Sequence, residues 1–225
     1  MIKFLDILKE SDDNIFIPRG SKEEKDKVLI RKEYDKIQEY IRNGSEGDLG
    51  LSGSPIKFLP KNLTKVGGRL GLVRSQIEKL PDNLTVNGML DLDNCKNLQE
   101  LPNGLKVKGG LDLRDTNIKS LPSDLEVGGI LILLRSQIEK LPDNLTVNGY
   151  LWLDGCKNLQ ELPNGLKVKG SLDLRNTNLT SLPSDLEVGG NLTLSRTPIA
   201  NMYTEKQIRE MVPGLKGGIL GAILS

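Results

Sequence analysis

Leucines recur along this chain in pairs separated by a single residue. The pairs are Leu49/Leu51, Leu70/Leu72, Leu90/Leu92, Leu111/Leu113, Leu131/Leu133, Leu151/Leu153, Leu172/Leu174 and Leu192/Leu194, spaced 21, 20, 21, 20, 20, 21 and 20 residues apart. Each pair opens a phrase of the form x-L-x-L-x-x-(S/T/C)-x-(I/L)-x-x-L-P-x-x-L-x-V-x-G. A fixed period of this length predicts a solenoid in which each phrase is one coil. Each Leu-x-Leu predicts a short parallel strand with both leucines in the core. The residue between the leucines, and those just before and just after the pair, then face outward. The alternation from Leu84 through Val86, Gly88 and Leu90 to Leu92 predicts extended chain that turns a corner at Gly88. Leu80-Pro81 and its equivalents mark the opposite wall, where proline fixes the backbone and forgoes a ladder donor. That wall is expected to be extended or 3-10 in conformation, with a gently curved body.

The pattern changes at both ends. Residues 1–46 do not repeat and predict a helical cap: Ile2, Leu5 and Leu8 lie on one face of a short amphipathic helix. Ser21-x-x-Glu24 then opens a second helix, with Ile30, Tyr34, Ile37 and Ile41 at helical spacing and Gly44 at its end. Residues 47–201 form the solenoid of about eight coils. Residues 202–225 predict a closing cap. In it Thr204-x-x-Gln207 starts a short helix with Ile208 and Met211 buried, Pro213-Gly214 stops it, and Gly217 to Leu224 adds a last apolar strand. Exposed solenoid ends leave apolar core and unpaired strand groups, so caps are expected.

Composition narrows the function classes. Aromatic residues make up 4% of the 225 and glycine accounts for 24, so Leu, Val and Ile fill the core while glycine turns corners. Lys plus Arg number 31 against 30 Asp plus Glu, a net charge of +1, which offers no footprint for nucleic acid and no polybasic membrane patch. The first residues, MIKFLDILKE, are too charged for a secretory signal, and no stretch has the apolar length of a membrane span. A soluble cytoplasmic protein is the expectation. The Asn-x-Thr triplets at Asn62, Asn83, Asn144, Asn178 and Asn191 are then by-products of the repeat.

The phrase Leu111-x-Leu113-x-x-Thr116-x-Ile118-x-x-Leu121-Pro122 resembles the leucine-rich repeat, in its short Leu-Pro bacterial form. The coil Leu153-Asp-Gly-Cys156-Lys-Asn-Leu159-Gln-Glu-Leu162-Pro163 resembles the Cys-x-Asn-Leu coils of plant immune receptors. Nearly the whole length is similar to uncharacterised repeat proteins of tailed bacteriophages. The similarity lies in the opening MIKFLDILKE, in Ile37-Gln-x-Tyr40-Ile41-x-x-Gly44-Ser45-x-Gly47-x-Leu49, and in the stretch Thr197-Pro198-Ile199…Tyr203-Thr204…Ile208-Arg209-x-Met211-x-Pro213-x-x-Lys216-Gly217. The resemblance implies a leucine-rich-repeat solenoid with strands on one face and action inside an infected bacterium or in a virion. It brings no activity. Some Leu-Pro effectors carry a ubiquitin-ligase Cys-x-Asp motif, but Cys95 and Cys156 are each followed by Lys-Asn. Where leucine-rich repeats usually place asparagine, this chain has Ser54, Ser75, Cys95, Thr116, Ser136, Cys156, Thr177 and Thr197, which make weaker links than an amide.

Candidate chemistry is sparse. There is no histidine, which removes the commonest general base and metal ligand. Cys95 and Cys156 sit three coils apart at the same repeat position, roughly 14 Å at about 4.8 Å per coil, beyond disulfide reach. They are expected as buried thiols. Asp91, Asp93, Asp112 and Asp173 project from strands, and with Arg114 beside them a solvated charged face is expected. The glycine pairs, Gly109-Gly110 among them, open no helix and are corners rather than a phosphate loop. No cofactor or metal is expected, and no enzymatic activity.

The sharpest signal is internal. Residues 72–132 and 133–193 are near-copies that differ at 10 of 61 positions: Val73/Leu134, Met89/Tyr150, Asp91/Trp152, Asn94/Gly155, Gly110/Ser171, Asp115/Asn176, Ile118/Leu179, Lys119/Thr180, Ile130/Asn191 and Ile132/Thr193. Six of these pairs occupy the three outward strand positions, while core and corner positions are retained. The differences stack Ile130, Ile132 and Leu134 against Tyr150 and Trp152, with Arg114, Asp154 and Arg175 at the rim. Large apolar patches are rarely left bare, and Trp and Tyr are typical anchors. The expectation is a non-enzymatic protein-binding module that uses this strand face to hold a host or phage protein. The alternative is a virion component or a self-associating particle subunit.

Overall fold

The computed structural model describes residues 21–222, so the amphipathic segment expected around Ile2, Leu5 and Leu8 lies outside the described residues. The chain folds as a parallel β-solenoid with helical caps. The Leu-x-Leu segments form a nine-stranded parallel sheet. Its strands are β1 (Leu49–Gly50), β3 (Leu70–Gly71), β5 (Leu90–Asp91), β7 (Leu111–Asp112), β9 (Leu131–Ile132), β11 (Leu151–Trp152), β13 (Leu172–Asp173), β15 (Leu192–Thr193) and β17 (Ile219–Leu220). Each leucine pairs with its repeat equivalent, as Leu131 does with Leu111 and Leu151.

A second sheet departs from the expectation of strands on one face only. Eight further parallel strands form it: seven at Thr/Lys/Glu-Val steps, β2 (Lys65–Val66), β4 (Thr85–Val86), β6 (Lys106–Val107), β8 (Glu126–Val127), β10 (Thr146–Val147), β12 (Lys167–Val168) and β14 (Glu187–Val188), and one at a Gly-Leu step, β16 (Gly214–Leu215). The second residue of each, valine or in β16 leucine, is buried and the residue before it generally faces out. This is the extended chain leading to the Gly88-type corner, long enough to form its own ladder. The Leu-Pro wall holds only isolated bridges, Phe58 to Lys79 and Ser120 to Lys140, and no 3-10 helix occurs among the described residues. The strands' rows of Leu, Val and Ile merge into one continuous core that also takes in Cys95 and Cys156.

Glycine at the corner between the sheets has a steric cause. A Cβ on Gly88 would lie 2.7 Å from the carbonyl carbon of Gly68, and one on Gly149 would lie 2.8 Å from that of Gly129. The corner backbones stack too closely for any side chain.

The caps differ. Helix α1 (Lys22–Arg42) starts at Ser21, whose hydroxyl accepts from the Glu24 amide, and buries Ile37 against the first coil. Tyr40 Oη lies 2.8 Å from the Ser45 carbonyl and 2.9 Å from the Gly47 carbonyl, and accepts from the Gly67 amide at 3.0 Å. After β15, α2 (Pro198–Met202) and α3 (Glu205–Met211) replace the Leu-Pro wall. Thr204 and Gln207 form the expected capping box, and Ile208 is buried. The chain then adds β16 to the second sheet and β17 to the first, completing a ninth coil.

Candidate functional site

The strand positions between the leucines form a column down the first sheet: Gly50, Gly71, Asp91, Asp112, Ile132, Trp152, Asp173, Thr193 and Leu220. Sidedness of the parallel ladder turns all of them away from the core. The residues expected at the site do meet here, on β9, β11 and their neighbours.

They are not equally accessible. Tyr150 is 50% exposed and Trp152 37%. Their rings lie side by side, with centroids 6.4 Å apart and planes tilted by 35°. Ile130 and Leu134 are half-buried. Ile132 was expected to be open and is not: it is buried, at 6% exposure. It faces outward, but lies in register between Asp112 on one side and Trp152 on the other. Ile132 therefore offers almost no surface of its own.

Part of the difference between the halves has a packing explanation. A Cβ on Gly110 would stand 2.8 Å from Ile130 Cγ2, so the isoleucine side chain occupies the space over the glycine. In the other half Ser171 replaces the glycine, its hydroxyl accepts from the Asn191 amide at 2.9 Å, and asparagine replaces the isoleucine. Gly110/Ile130 and Ser171/Asn191 are two alternative, self-consistent pairings.

The carboxylates correct a second expectation. Asp91 and Asp112 are buried, at 4% and 0% exposure, not solvated. Each is held by arginine. Asp91 accepts from Arg69 of the preceding coil and from the Asp93 amide. Arg114 folds back over Asp112, donating from its amide and Nε at 3.0 Å and from Nη2 at 2.7 Å. Arg175 clamps Asp173 in the same way, with Nη2 at 2.6 Å, and lies 3.7 Å from Asp154. Asp154 also accepts from Asn176 Nδ2 at 2.6 Å. Beside the patch Arg135 grips Asp115 at 2.7 Å, which holds that carboxyl below its ordinary range. The contact with Asp112 raises the Arg114 guanidinium above its ordinary value. The rim residues Arg114, Asp154 and Arg175 are thus already paired. The face is neutralised by its own pairs, with two aromatic rings left uncovered among them.

The cysteines are free and buried. Cys95 Sγ donates to the Leu72 carbonyl at 3.0 Å and Cys156 Sγ to that of Leu133 at 2.8 Å, both in the preceding coil. Thr116, Thr177 and Thr197 instead donate to carbonyls of their own coil at 2.6–2.7 Å. The side-chain ladder is therefore discontinuous, linking coils at the Ser–Cys steps. Desolvation raises both thiols, Cys156 to about 11. Among the described residues no group of three or more Cys, Asp or Glu is placed to hold a metal ion, and no helix is long and apolar enough to cross a membrane. No protein-family model matches the chain, and no curated protein is significantly similar to it.

Proposed function

We propose that this protein is a non-enzymatic binding module that engages another protein through the first-sheet face centred on Tyr150 and Trp152. One observation carries the reading: two adjacent aromatic rings stand exposed on a face where Asp91, Asp112, Asp154 and Asp173 are paired with arginines. Each ring desolvated by a partner would contribute about 1.5–3 kcal/mol. Ile130 and Leu134 extend the contact, the buried Ile132 lies in register beside Trp152, and Arg114, Asp154 and Arg175 form a rim that excludes water and sets orientation. The solenoid is of leucine-rich-repeat type on the strength of its Leu-x-Leu and Leu-Pro phrases, with a second sheet added. Its likeness to phage repeat proteins makes a host or phage protein in an infected bacterium the proposed partner.

The test uses residues the chain already tolerates. Tyr150→Asn with Trp152→Thr copies the Asn191 and Thr193 of β15 onto β11. The immobilised protein is expected to retain a specific protein from lysate of infected bacteria, and the double variant to lose it while keeping its unfolding midpoint. Equal retention by both proteins would overturn the site.

A further inference from the structure

We infer that two copies of this chain pair through the β17 edge of the first sheet, antiparallel about a two-fold axis at Ile219. The two ends of the sheet are not equivalent. At β1 the outward carbonyl of Gly50 accepts from Lys36 Nζ at 2.5 Å, and α1 lies against that coil through Ile37. At β17 the amides of Leu192 and Leu194 donate to the carbonyls of Gly218 and Leu220, so those two residues face β15. Strand alternation then turns Ile219 N–H, Ile219 C=O and the Gly221 N–H away from the molecule, where no described residue meets them. One residue offering both a donor and an acceptor is the pattern that a two-fold axis satisfies: Ile219 exchanges both bonds with Ile219 of the second copy. The outward side chains also match. Leu220 is 51% exposed and would stand opposite Gly218 of the second copy, whose Cβ position has only Asn191 Oδ1 nearby, at 3.5 Å. Each leucine covers the other copy's bare glycine. Residues 217–222 (GGILGA) carry neither charge nor proline, the usual guards of a free edge. Head-to-tail stacking is blocked by α1, so pairing closes at two.

Light scattering coupled to size exclusion on the full chain is the test. A mass of twice 24.8 kDa is expected. Leu220→Lys, at an exposed position, should return the mass to one chain with the far-ultraviolet circular dichroism unchanged. Ile219→Pro deletes the outward N–H without touching a bond to β15 and should do the same. Tyr150→Asn with Trp152→Thr should remain dimeric, which separates this interface from the proposed binding face. A monomer up to hundreds of micromolar, a dimer indifferent to both edge variants, or growth beyond two copies would each overturn the pairing.

Discussion

At the scale of single residues, the two halves amount to an exchange experiment already written into the chain. Gly110→Ser places a Cβ 2.8 Å from Ile130 Cγ2 and is expected to cost about 1–3 kcal/mol by overpacking. Adding Ile130→Asn recreates the Ser171/Asn191 pair and should recover much of that loss, a coupling that denaturant titration of the double-mutant cycle would reveal. Cys156 makes a second residue-level prediction. Its thiol titrates near 9.0 when unperturbed and at about 11 in the fold. Above the lower value the unfolded chain releases a proton that the folded one retains. The thiol's contribution to stability is therefore whole below about 9 and lost as pH rises toward about 11. Thermal midpoints across that window should fall, and Cys156→Ala should flatten the fall.

At the scale of elements, the strands and the wall were legible because Leu-x-Leu and Leu-Pro each fix a local geometry. The second sheet was not, because only a two-residue step such as Thr85–Val86 marks it, too short to tell a strand from an extended corner. Burial on the outer face was illegible for another reason. Asp91 depends on Arg69, 22 residues earlier, and the buried Ile132 lies between Asp112 and Trp152 of the coils on either side. Sequence position assigns a face to each of them but does not say what closes over it. The cap helix α1 supplies an element-level prediction. Tyr40 Oη links the Ser45 and Gly47 carbonyls and the Gly67 amide, so Tyr40→Phe leaves these groups without it. About 1–3 kcal/mol should be lost. Amide exchange should rise at Gly67 while remaining slow at Leu131 and Leu151.

At the scale of the molecule, stability and the proposed binding face belong to different parts of the solenoid. The core runs through every coil, and the glycine corners keep the coils in register. The outward column changes residue type from coil to coil while the ladder stays continuous. In most rows it is filled by glycine, threonine or arginine-clamped aspartate. On β11 it carries the chain's only tryptophan. That tryptophan makes the central claim directly measurable by its emission and by acrylamide quenching. In the free protein Trp152 should be readily quenched, as its 37% exposure requires. On adding the protein retained by the wild-type chain, its emission should shift to shorter wavelength and quenching should fall several-fold. If that protein binds and Trp152 stays as open to acrylamide as before, the face built around Tyr150 and Trp152 is not the binding surface.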